Sequence, residues 1–295
     1  MTATWFGLLL GSQRRLGSAT EVYPALRTEA AAAVQLGITR LVAPEHLQAE
    51  PYLMLRPWPL LAALRAEIGS FTAVGSVIAG LTSSAQLTGD LTTVGAVGAG
   101  PVGVALAAGY RAEDFTAAGR PYEDRFRLRR QLRRAMVESG VVPDGLLWSA
   151  TATVEAARRA TADGADWYCA ATTSDQNTAE IGAAVGGRGV LRRDVLIGAT
   201  DADLRRRWDR YVAPKYGAYA GWGYTDDTNG VLAGTSEQIA TRLASLIAMV
   251  HPSGIVVRLC WPDMNGSSAL DHVHTFGHEV LPAFTQELLP LRGQN

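Results

Sequence analysis

The spacing of short apolar runs constrains the fold of this chain more than any other feature of its sequence. The first four runs occupy residues 5–11, 38–44, 71–80 and 102–109, so they begin every 31–33 residues. Helical patterns alternate with them at residues 18–36, 57–68, 84–97 and 121–140. A strand with its crossover helix takes about 30 residues, so this spacing is typical of βαβ units and predicts a parallel sheet.

The second half of the chain completes the pattern less regularly. Its strand candidates are residues 146–150, 166–170, 192–199 and 254–261, and its helical patterns are residues 153–163, 178–185, 201–211, 236–250 and 268–288. Eight strands, each followed by a helix, can close into a barrel. We therefore predict an α/β protein with one domain over residues 1–295, a single (β/α)₈ TIM barrel, in preference to an open doubly wound sheet. Residues 213–235, rich in Gly, Tyr and Trp, are predicted to form a functional loop.

Composition narrows the class of protein. A hydrophobic fraction of 47% allows a large core, and a net charge of −1 argues against a protein that binds nucleic acid or an anionic membrane. No apolar run reaches the roughly 18 residues of a membrane span. The first residues lack the pattern of a signal peptide, so we expect a cytoplasmic location. The two cysteines, Cys169 and Cys260, are too few for a disulfide framework, and Lys215 is the only lysine.

Three motif-like stretches have simpler interpretations. Residues 98–103 match G-x-G-x-x-G, but a helix precedes them and a strand follows, which is the reverse of a dinucleotide site and indicates a turn. His272, His274 and His278 lack the further ligands of a zinc centre, so we predict a solvated helix face and no metal. The arginine-rich residues 125–134 contain apolar side chains at helical spacing and are predicted to form a charged outer face of a barrel helix.

His46 is the clearest catalytic candidate. It directly follows the strand at residues 38–44, and the carboxyl ends of barrel strands carry the chemistry of this fold. An imidazole both accepts and donates protons near neutral pH. From its position alone, a histidine that is simply hydrogen-bonded within a loop remains an equal alternative.

Six segments, in this order along the chain, resemble the bacterial luciferase-like monooxygenase superfamily. They are residues 44–46, 57–64, 74–78 with 90–91, 108–119, 234–239, and 261–264 with 279–282. Each is short, and their order carries the resemblance. It implies a barrel that binds FMN or the deazaflavin coenzyme F-420 at the carboxyl-terminal mouth. In FMN members a separate flavin reductase commonly supplies the reduced flavin.

The resemblance also implies roles for particular residues. His46 falls on the catalytic histidine of the family. Ser76, Val77 and Ile78 would lie beneath the flavin ring, where the family often has a non-proline cis peptide bond. The residues implied for the rest of the cofactor are Gly109 and Tyr110 on the ribityl side, and Ser149, Thr151 and Thr153 on the phosphate. For a small apolar substrate, the aromatic residues Trp222, Tyr224 and Trp261 predict a pocket.

Two departures from the family pattern bear on the cofactor. Leu47 stands where the family has a second histidine, and Ala108 stands where luciferase-type members have a phosphate-binding arginine. We therefore predict weak flavin binding, with Arg111, Arg188 and Arg192 as candidate compensating cations.

Three functions remain open: an FMN-dependent monooxygenase for a small organic substrate, an F-420-dependent hydride-transfer enzyme, and a non-catalytic flavin-binding barrel. We also predict a homodimer formed through the helices at residues 57–68 and 84–97. Its apolar patch would comprise Leu60, Leu61, Leu64 and Leu87.

Overall fold

The computed structural model describes residues 4–14, 18–47, 49–186, 189–224 and 227–285. Its strands are β1 (Trp5–Leu9), β2 (Arg40–Pro44), β3 (Thr72–Ile78), β4 (Val102–Ala107), β5 (Leu147–Thr151), β6 (Asp166–Cys169), β7 (Gly189–Ile197), β8 (Val231–Gly234) and β9 (Gly254–Arg258). Its helices are α1 (Ala19–Gln35), α2 (Pro57–Ile68), α3 (Ser84–Ala96), α4 (Ala112–Ala117), α5 (Arg125–Ser139), α6 (Val154–Ala162), α7 (Asp175–Val185), α8 (Asp201–Arg207), α9 (Ala213–Gly221), α10 (Ser236–Val250), α11 (Gly266–Thr275) and α12 (Pro282–Thr285). Short 3₁₀ turns at Ala79–Leu81 and Tyr122–Asp124 and π-helical turns at Trp208–Val212 and Phe276–Val280 complete the elements.

The strands form a closed parallel barrel. β1 to β7 pair in sequence order, β7 pairs with β9, and β9 returns to β1 with Trp5 opposite Gly254. This ring of eight strands confirms the predicted (β/α)₈ barrel, including the pairing of its first and last strands. The short strand β8 adds to the carboxyl-terminal half of β7, where Asp194 lies opposite Val231.

Alternation along each strand divides the core into two layers. Leu9, Val42, Val74 and Trp148 belong to a cluster made almost entirely of strand residues, which fills the barrel interior. Their neighbours along the strands point outward and pack against the surrounding helices in a much larger cluster. Both faces of every strand are therefore buried, as expected of a parallel sheet covered by helices.

Residues 213–235 differ from the prediction. They contain α9 and β8 in addition to irregular segments, while residues 225 and 226 lie outside the described ranges. The helix begins without a break, because the π-helical turn Trp208–Val212 connects α8 directly to α9. Gly217 and Gly221 lower the intrinsic helix propensity of this segment, so tertiary packing of its tyrosines decides the conformation. The predicted helix at residues 268–288 extends past residue 285, and that end also lies outside the described ranges.

The predicted apolar dimer patch is wrong. Leu60, Leu61, Leu64 and Leu87 are all at most 3% exposed and belong to the core of the monomer. Their helical spacing reflects the packing of α2 and α3 onto the barrel. None of the helices in the described ranges combines the length and apolar character that a bilayer crossing requires.

The arginine-rich helix α5 is only partly an outer face. Arg133 is 2% exposed, and its guanidinium donates to Ser149 Oγ at 3.2 Å and pairs with Asp163. Arg129 donates to the carbonyl oxygen of Ala150 at 2.5 Å. These two side chains tie α5 to the end of β5, whereas Arg130 and Arg134 face outward as predicted.

Candidate functional site

A cavity opens at the carboxyl-terminal mouth of the barrel. Its volume is about 890 Å³, including space that is open to solvent. Its residues come from seven consecutive strands, β1 to β7, and the loops after them, and from α9 and the segment that follows it: Leu9, Pro44, Glu45, His46, Ser76, Val77, Ile78, Ala105, Ala107, Gly109, Tyr110, Ala150, Tyr168, Ala170, Ala171, Thr172, Arg192, Lys215, Tyr216, Tyr219 and Tyr224. Active sites of this fold occur at this end of the strands, so the cavity is the candidate site.

His46 is held in one orientation by a carboxylate. Its Nδ1 lies 3.0 Å from Oδ2 of Asp114, whose other oxygen accepts a hydrogen bond from the Leu47 backbone N at 2.9 Å. The Asp114 side chain is fully buried, and that of His46 is 12% exposed. A carboxylate at Nδ1 fixes the proton there and leaves Nε2 as the atom that can accept a proton from the cavity side.

Tyr110 completes a hydrogen-bonded chain. Its hydroxyl lies 3.3 Å from His46 Nε2. Burial, together with the neighbouring Tyr219 and Tyr224, raises the pKa of Tyr110 well above its ordinary value, so this hydroxyl stays protonated and donates. The chain Asp114, His46, Tyr110 therefore leads from a buried carboxylate to the cavity wall.

Glu45 fixes the part of the cavity wall that Val77 and Ile78 form. Its Oε2 accepts a hydrogen bond from the Ile78 backbone N at 2.9 Å, and its Oε1 lies 2.8 Å from Arg56 Nη2. Burial raises the pKa of Glu45, while Arg56 and the Ile78 hydrogen bond oppose that shift. The carboxyl ends of β2 and β3 are thereby joined, and the apolar surface of Val77 and Ile78 is held in place.

Aromatic rings form the side of the cavity that faces α9. Tyr110 and Tyr224 stack with centroids 4.2 Å apart, and Tyr219 lies 6.3 Å from Tyr110. Trp222 stacks on Tyr219 at 5.1 Å and lies 5.8 Å from His46. Such a wall favours a flat ligand, since rings stack face to face or edge to face at these distances.

A buried charged group, the basic cluster, lies at the base of the cavity. It consists of Arg192, Lys215 and Arg258 around the carboxylate of Asp194. Asp194 Oδ2 is 2.6 Å from Lys215 Nζ and 3.6 Å from Arg258 Nε, and Oδ1 is 3.0 Å from Arg192 Nη2. Side-chain exposure is 1% for Lys215 and Arg258 and 16% for Arg192.

The basic cluster shifts the acid–base properties of its members. Burial lowers the pKa of Lys215 to about 8, against the opposing effect of Asp194. For Asp194, burial alone would raise the pKa, but Arg192, Lys215 and Arg258 together hold it well below the usual range. The same cations lower the pKa of Tyr219 although burial opposes them. The electrostatic potential at the base of the cavity is therefore positive.

Several predicted site residues meet in the cavity. His46, Ser76, Val77, Ile78, Gly109, Tyr110 and Tyr224 all line it. Gly109 has φ +82°, and a Cβ there would lie 2.7 Å from Ile78 Cγ2, so glycine is required at this point of the wall. The peptide bond between Val77 and Ile78 is trans, unlike the cis bond that the resemblance implied. Within the described residues, the cis peptide bond joins Glu50 to Pro51.

The other two predicted pocket residues lie beside the cavity. Trp222 packs against Tyr219 and His46, which line the cavity. Its Nε1 donates to the Glu50 carbonyl oxygen at 2.9 Å. Trp261 is fully buried behind Lys215, and its Nε1 donates to the Val195 carbonyl oxygen. Trp261 is thus a packing residue.

The predicted phosphate ligands do not face the cavity. Ser149 and Thr151 alternate with the inward-pointing Trp148 and Ala150, so their hydroxyls point toward the helices. The Ser149 hydroxyl accepts from Arg133, and Thr153 caps α6 by accepting from the Ala156 backbone N at 3.2 Å.

Of the candidate compensating cations, Arg192 lines the cavity base. Arg111 is buried against the Trp222 ring at 4.3 Å, and its Nε and Nη1 have no hydrogen-bond partner. Arg188 lies outside the described residues.

His272 also differs from its prediction as a solvated residue. It is 2% exposed, its Nε2 accepts from the Ile197 backbone N at 2.8 Å, and its Nδ1 lies 2.5 Å from the Leu259 carbonyl oxygen. Burial lowers the pKa of His272 to about 4. This neutral histidine connects α11 to the ends of β7 and β9.

The sequence interpretation named Arg192 but missed Asp114 and the grouping of Arg192 with Lys215, Arg258 and Asp194. The sequence did contain a signal for the cluster, because Arg192, Arg193 and Asp194 interrupt an apolar strand. Charged residues are rarely buried unless they are paired. Lys215, the only lysine of the chain, lies among tyrosines that also belong to the site. Asp114 carried no such signal, since it looks like any acidic residue in the first turn of a helix.

The same fold occurs in solved structures of monooxygenases. Monooxygenase RslO1 from Streptomyces bottropensis is 15% identical with a TM-score of 0.76, covering 95% of this chain and 100% of that one. EDTA monooxygenase from Chelativorans sp. BNC1 is 14% identical with a TM-score of 0.72, covering 97% and 94%. The oxygenating constituent of 3,6-diketocamphane monooxygenase from the CAM plasmid of Pseudomonas putida, solved with FMN, is 14% identical with a TM-score of 0.71, covering 95% and 98%. No protein-family model and no curated protein matches the sequence.

Proposed function

We propose that this protein is a luciferase-like flavin monooxygenase that uses reduced FMN and dioxygen to oxidise a small organic substrate. The observation that carries the proposal is His46, oriented by Asp114 and presenting Nε2 to the cavity through Tyr110. Its position at the mouth of a barrel like that of an FMN-bound monooxygenase supports this function. An oxidoreductase of this type would receive reduced FMN from a separate reductase.

The cavity fits the ring system of a flavin. Val77, Ile78 and the small side chains of Ala105 and Ala107 provide an apolar surface against which a flat ring can lie. The phosphate group fits less well, because the predicted hydroxyl ligands face away and Ala108 offers no charge. This combination supports a flavin that binds and leaves in each turnover.

Reduced FMN, when bound, supplies the electrons for the reduction of dioxygen. His46 Nε2 is placed to take a proton from the substrate or return one, since Asp114 stabilises the imidazolium that forms. Tyr110 donates to that nitrogen until a substrate group replaces it. The buried apolar walls exclude water, which strengthens these interactions.

Single-turnover experiments with ¹⁸O₂ test the proposal. The wild-type protein, loaded anaerobically with reduced FMN, is mixed with ¹⁸O₂ and a panel of small planar aldehydes, ketones and acids. We expect ¹⁸O in the product of at least one substrate, with the label lost in His46→Ala and kept in His274→Ala, whose histidine on α11 lies outside the cavity. Failure of reduced FMN to bind, or no labelled product, contradicts the proposal.

A parallel titration with the reduced deazaflavin F-420 separates the hydride-transfer alternative. That alternative requires tighter binding of the deazaflavin and a reduced product without ¹⁸O. We further propose a homodimer, although not through the buried leucines of α2 and α3. Light scattering at micromolar concentration checks it, and a mass of 31.4 kDa alone would exclude the dimer.

A further inference from the structure

The basic cluster contains more positive charge than its local structure needs. Three cations surround Asp194, while one would balance it. The cluster joins β7, α9 and β9, so a purely structural role is the first explanation to consider. Buried charges stabilise a fold only when positive and negative groups balance each other, because an unpaired buried charge is strongly unfavourable.

Among the described residues, the acidic and phenolic groups nearest the cluster already have hydrogen-bond or ion-pair partners. Tyr219 donates its hydroxyl proton to Gln13 Oε1 at 3.1 Å, which favours its neutral form, although the neighbouring cations lower its pKa. Gln13 Oε1 also accepts from Arg258 Nη2 at 3.0 Å, while Arg258 Nη1 has no hydrogen-bond partner. The acid Glu45, which lines the cavity, is already paired with Arg56.

The excess charge faces the cavity. Arg192 and Lys215 line its base beside Leu9, Ala105 and Ala150. Lys215 Nζ also lies 3.9 Å from the Tyr216 ring centroid, so its surroundings are aromatic as well as charged. Because Lys215 and Arg258 are almost fully buried, an oxyanion placed beside them gains more than it would in bulk water.

The aromatic wall limits the shape of such a ligand. Tyr110 and Tyr224 stack above the base, and Tyr219 links Tyr110 to Lys215, whose Nζ lies 4.6 Å from the Tyr219 ring centroid. A flat molecule with its negative group on Arg192 and Lys215 would extend along this wall toward His46.

We propose that the base of the cavity is an oxyanion site, in which Arg192 and Lys215 hold the negative group of a planar organic anion. Under the proposed function, on which this assignment of a substrate class rests, the ligand is an aromatic carboxylate or phenolate substrate, or the anionic ring of the reduced flavin itself. Both present a delocalised oxyanion on a flat ring.

Binding to the flavin-free protein tests the site directly. Calorimetric titration compares 2-naphthoate with its neutral counterpart 2-naphthamide. We expect naphthoate to bind at least about tenfold tighter than naphthamide, because hydrogen bonds to charged groups are stronger than those between neutral groups. Arg192→Gln should remove this preference, and Arg134→Gln, an exposed arginine on α5, should keep it. Equal affinities of the two probes for the wild-type protein overturn the proposal.

The single lysine allows a test without any variant. Labelling with [ε-¹³C]lysine gives one side-chain NMR signal, whose pH titration reports the pKa of Lys215. A bound anion favours the protonated amine, so saturation with naphthoate should raise the titration midpoint, whereas naphthamide should leave it unchanged. No movement with naphthoate overturns the site even if Arg192→Gln fails to fold.

Competition separates the two sources of the anion. If the ligand is a substrate, naphthoate binds beside saturating FMN. If it is the flavin ring, naphthoate competes with FMN, and reduced FMN binds tighter than oxidised FMN only while Lys215 is present, so Lys215→Met removes the difference. These measurements detect no oxygenation, so failure of the ¹⁸O experiment leaves a positive naphthoate result intact.

Discussion

Replacing Lys215 by methionine should change how the stability of the protein depends on pH. In the folded protein, burial lowers the pKa of Lys215 from 10.5 to about 8. One pKa unit corresponds to about 1.4 kcal/mol, so a protonated Lys215 costs the folded state about 3 kcal/mol relative to the unfolded chain. Methionine removes the titrating group, and Asp194 keeps Arg192 and Arg258 as partners.

The direction in which the free energy of unfolding changes with pH follows from which state binds the Lys215 proton. Below the folded pKa both states are protonated and the penalty is complete. Between this value and 10.5 the unfolded chain still binds the proton and the folded protein has lost it, so the free energy of unfolding rises with pH. From about pH 7 to about pH 9.5, the wild-type protein should gain about 2 kcal/mol relative to Lys215→Met.

Urea unfolding of both proteins across this range measures the difference. Groups distant from Lys215 titrate in the same way in both proteins, so they cancel in the comparison. Lys215→Arg is the matched control, because a guanidinium stays protonated throughout and its curve should run parallel to that of Lys215→Met. A wild-type curve that runs parallel to Lys215→Met, or falls below it with rising pH, would refute the reasoning.

Three further predictions concern turnover, packing and the cofactor. His46→Ala should slow turnover by roughly 10²–10⁴ with little change in flavin affinity, and an unchanged single-turnover rate would contradict its role. Gly189→Ala should lower the free energy of unfolding by about 1–3 kcal/mol, because its Cβ would lie 2.0 Å from the Trp167 ring. Gly217 lies in a helix, and a Cβ there would meet nothing within 4 Å, so Gly217→Ala should be neutral or stabilising by up to about 1 kcal/mol. Urea unfolding that finds Gly217→Ala less stable than Gly189→Ala would exclude this account. The protein should purify colourless and bind FMN weakly, with Ala108→Arg increasing the affinity roughly ten- to a hundred-fold in an FMN titration, whereas stoichiometric FMN in the wild-type protein would show another anchor.

The barrel could be predicted because parallel strands buried on both faces appear in the sequence as short apolar runs. The spacing of β1 to β4 was therefore directly visible, and α2 has the predicted bounds. By contrast, β8 lies inside the Gly-, Tyr- and Trp-rich segment that was interpreted as a loop, and its pairing with β7 depends on contacts distant in sequence.

The site was predictable only in part. His46 follows a strand, so the fold alone placed it at the mouth, but its partner Asp114 lies 68 residues away. The wrong prediction that Ser149 and Thr151 bind phosphate arises from the same property that made the strands predictable, namely burial on both faces. Since both faces of β5 are buried, its sequence does not reveal which alternate residues point inward.

The pairing of β1 with β9 has a consequence for the order in which the molecule can assemble. Trp5 lies opposite Gly254, so the ring cannot close until β9 has been synthesised, about 250 residues after β1. Until then β1 exposes the backbone groups of one edge, and unpaired edges of this kind recruit strands from other chains. Contacts so distant in sequence also slow folding. The nascent barrel is therefore exposed to aggregation until β9 emerges, and chains that stop before residue 254 should depend on chaperones that cover the open edge.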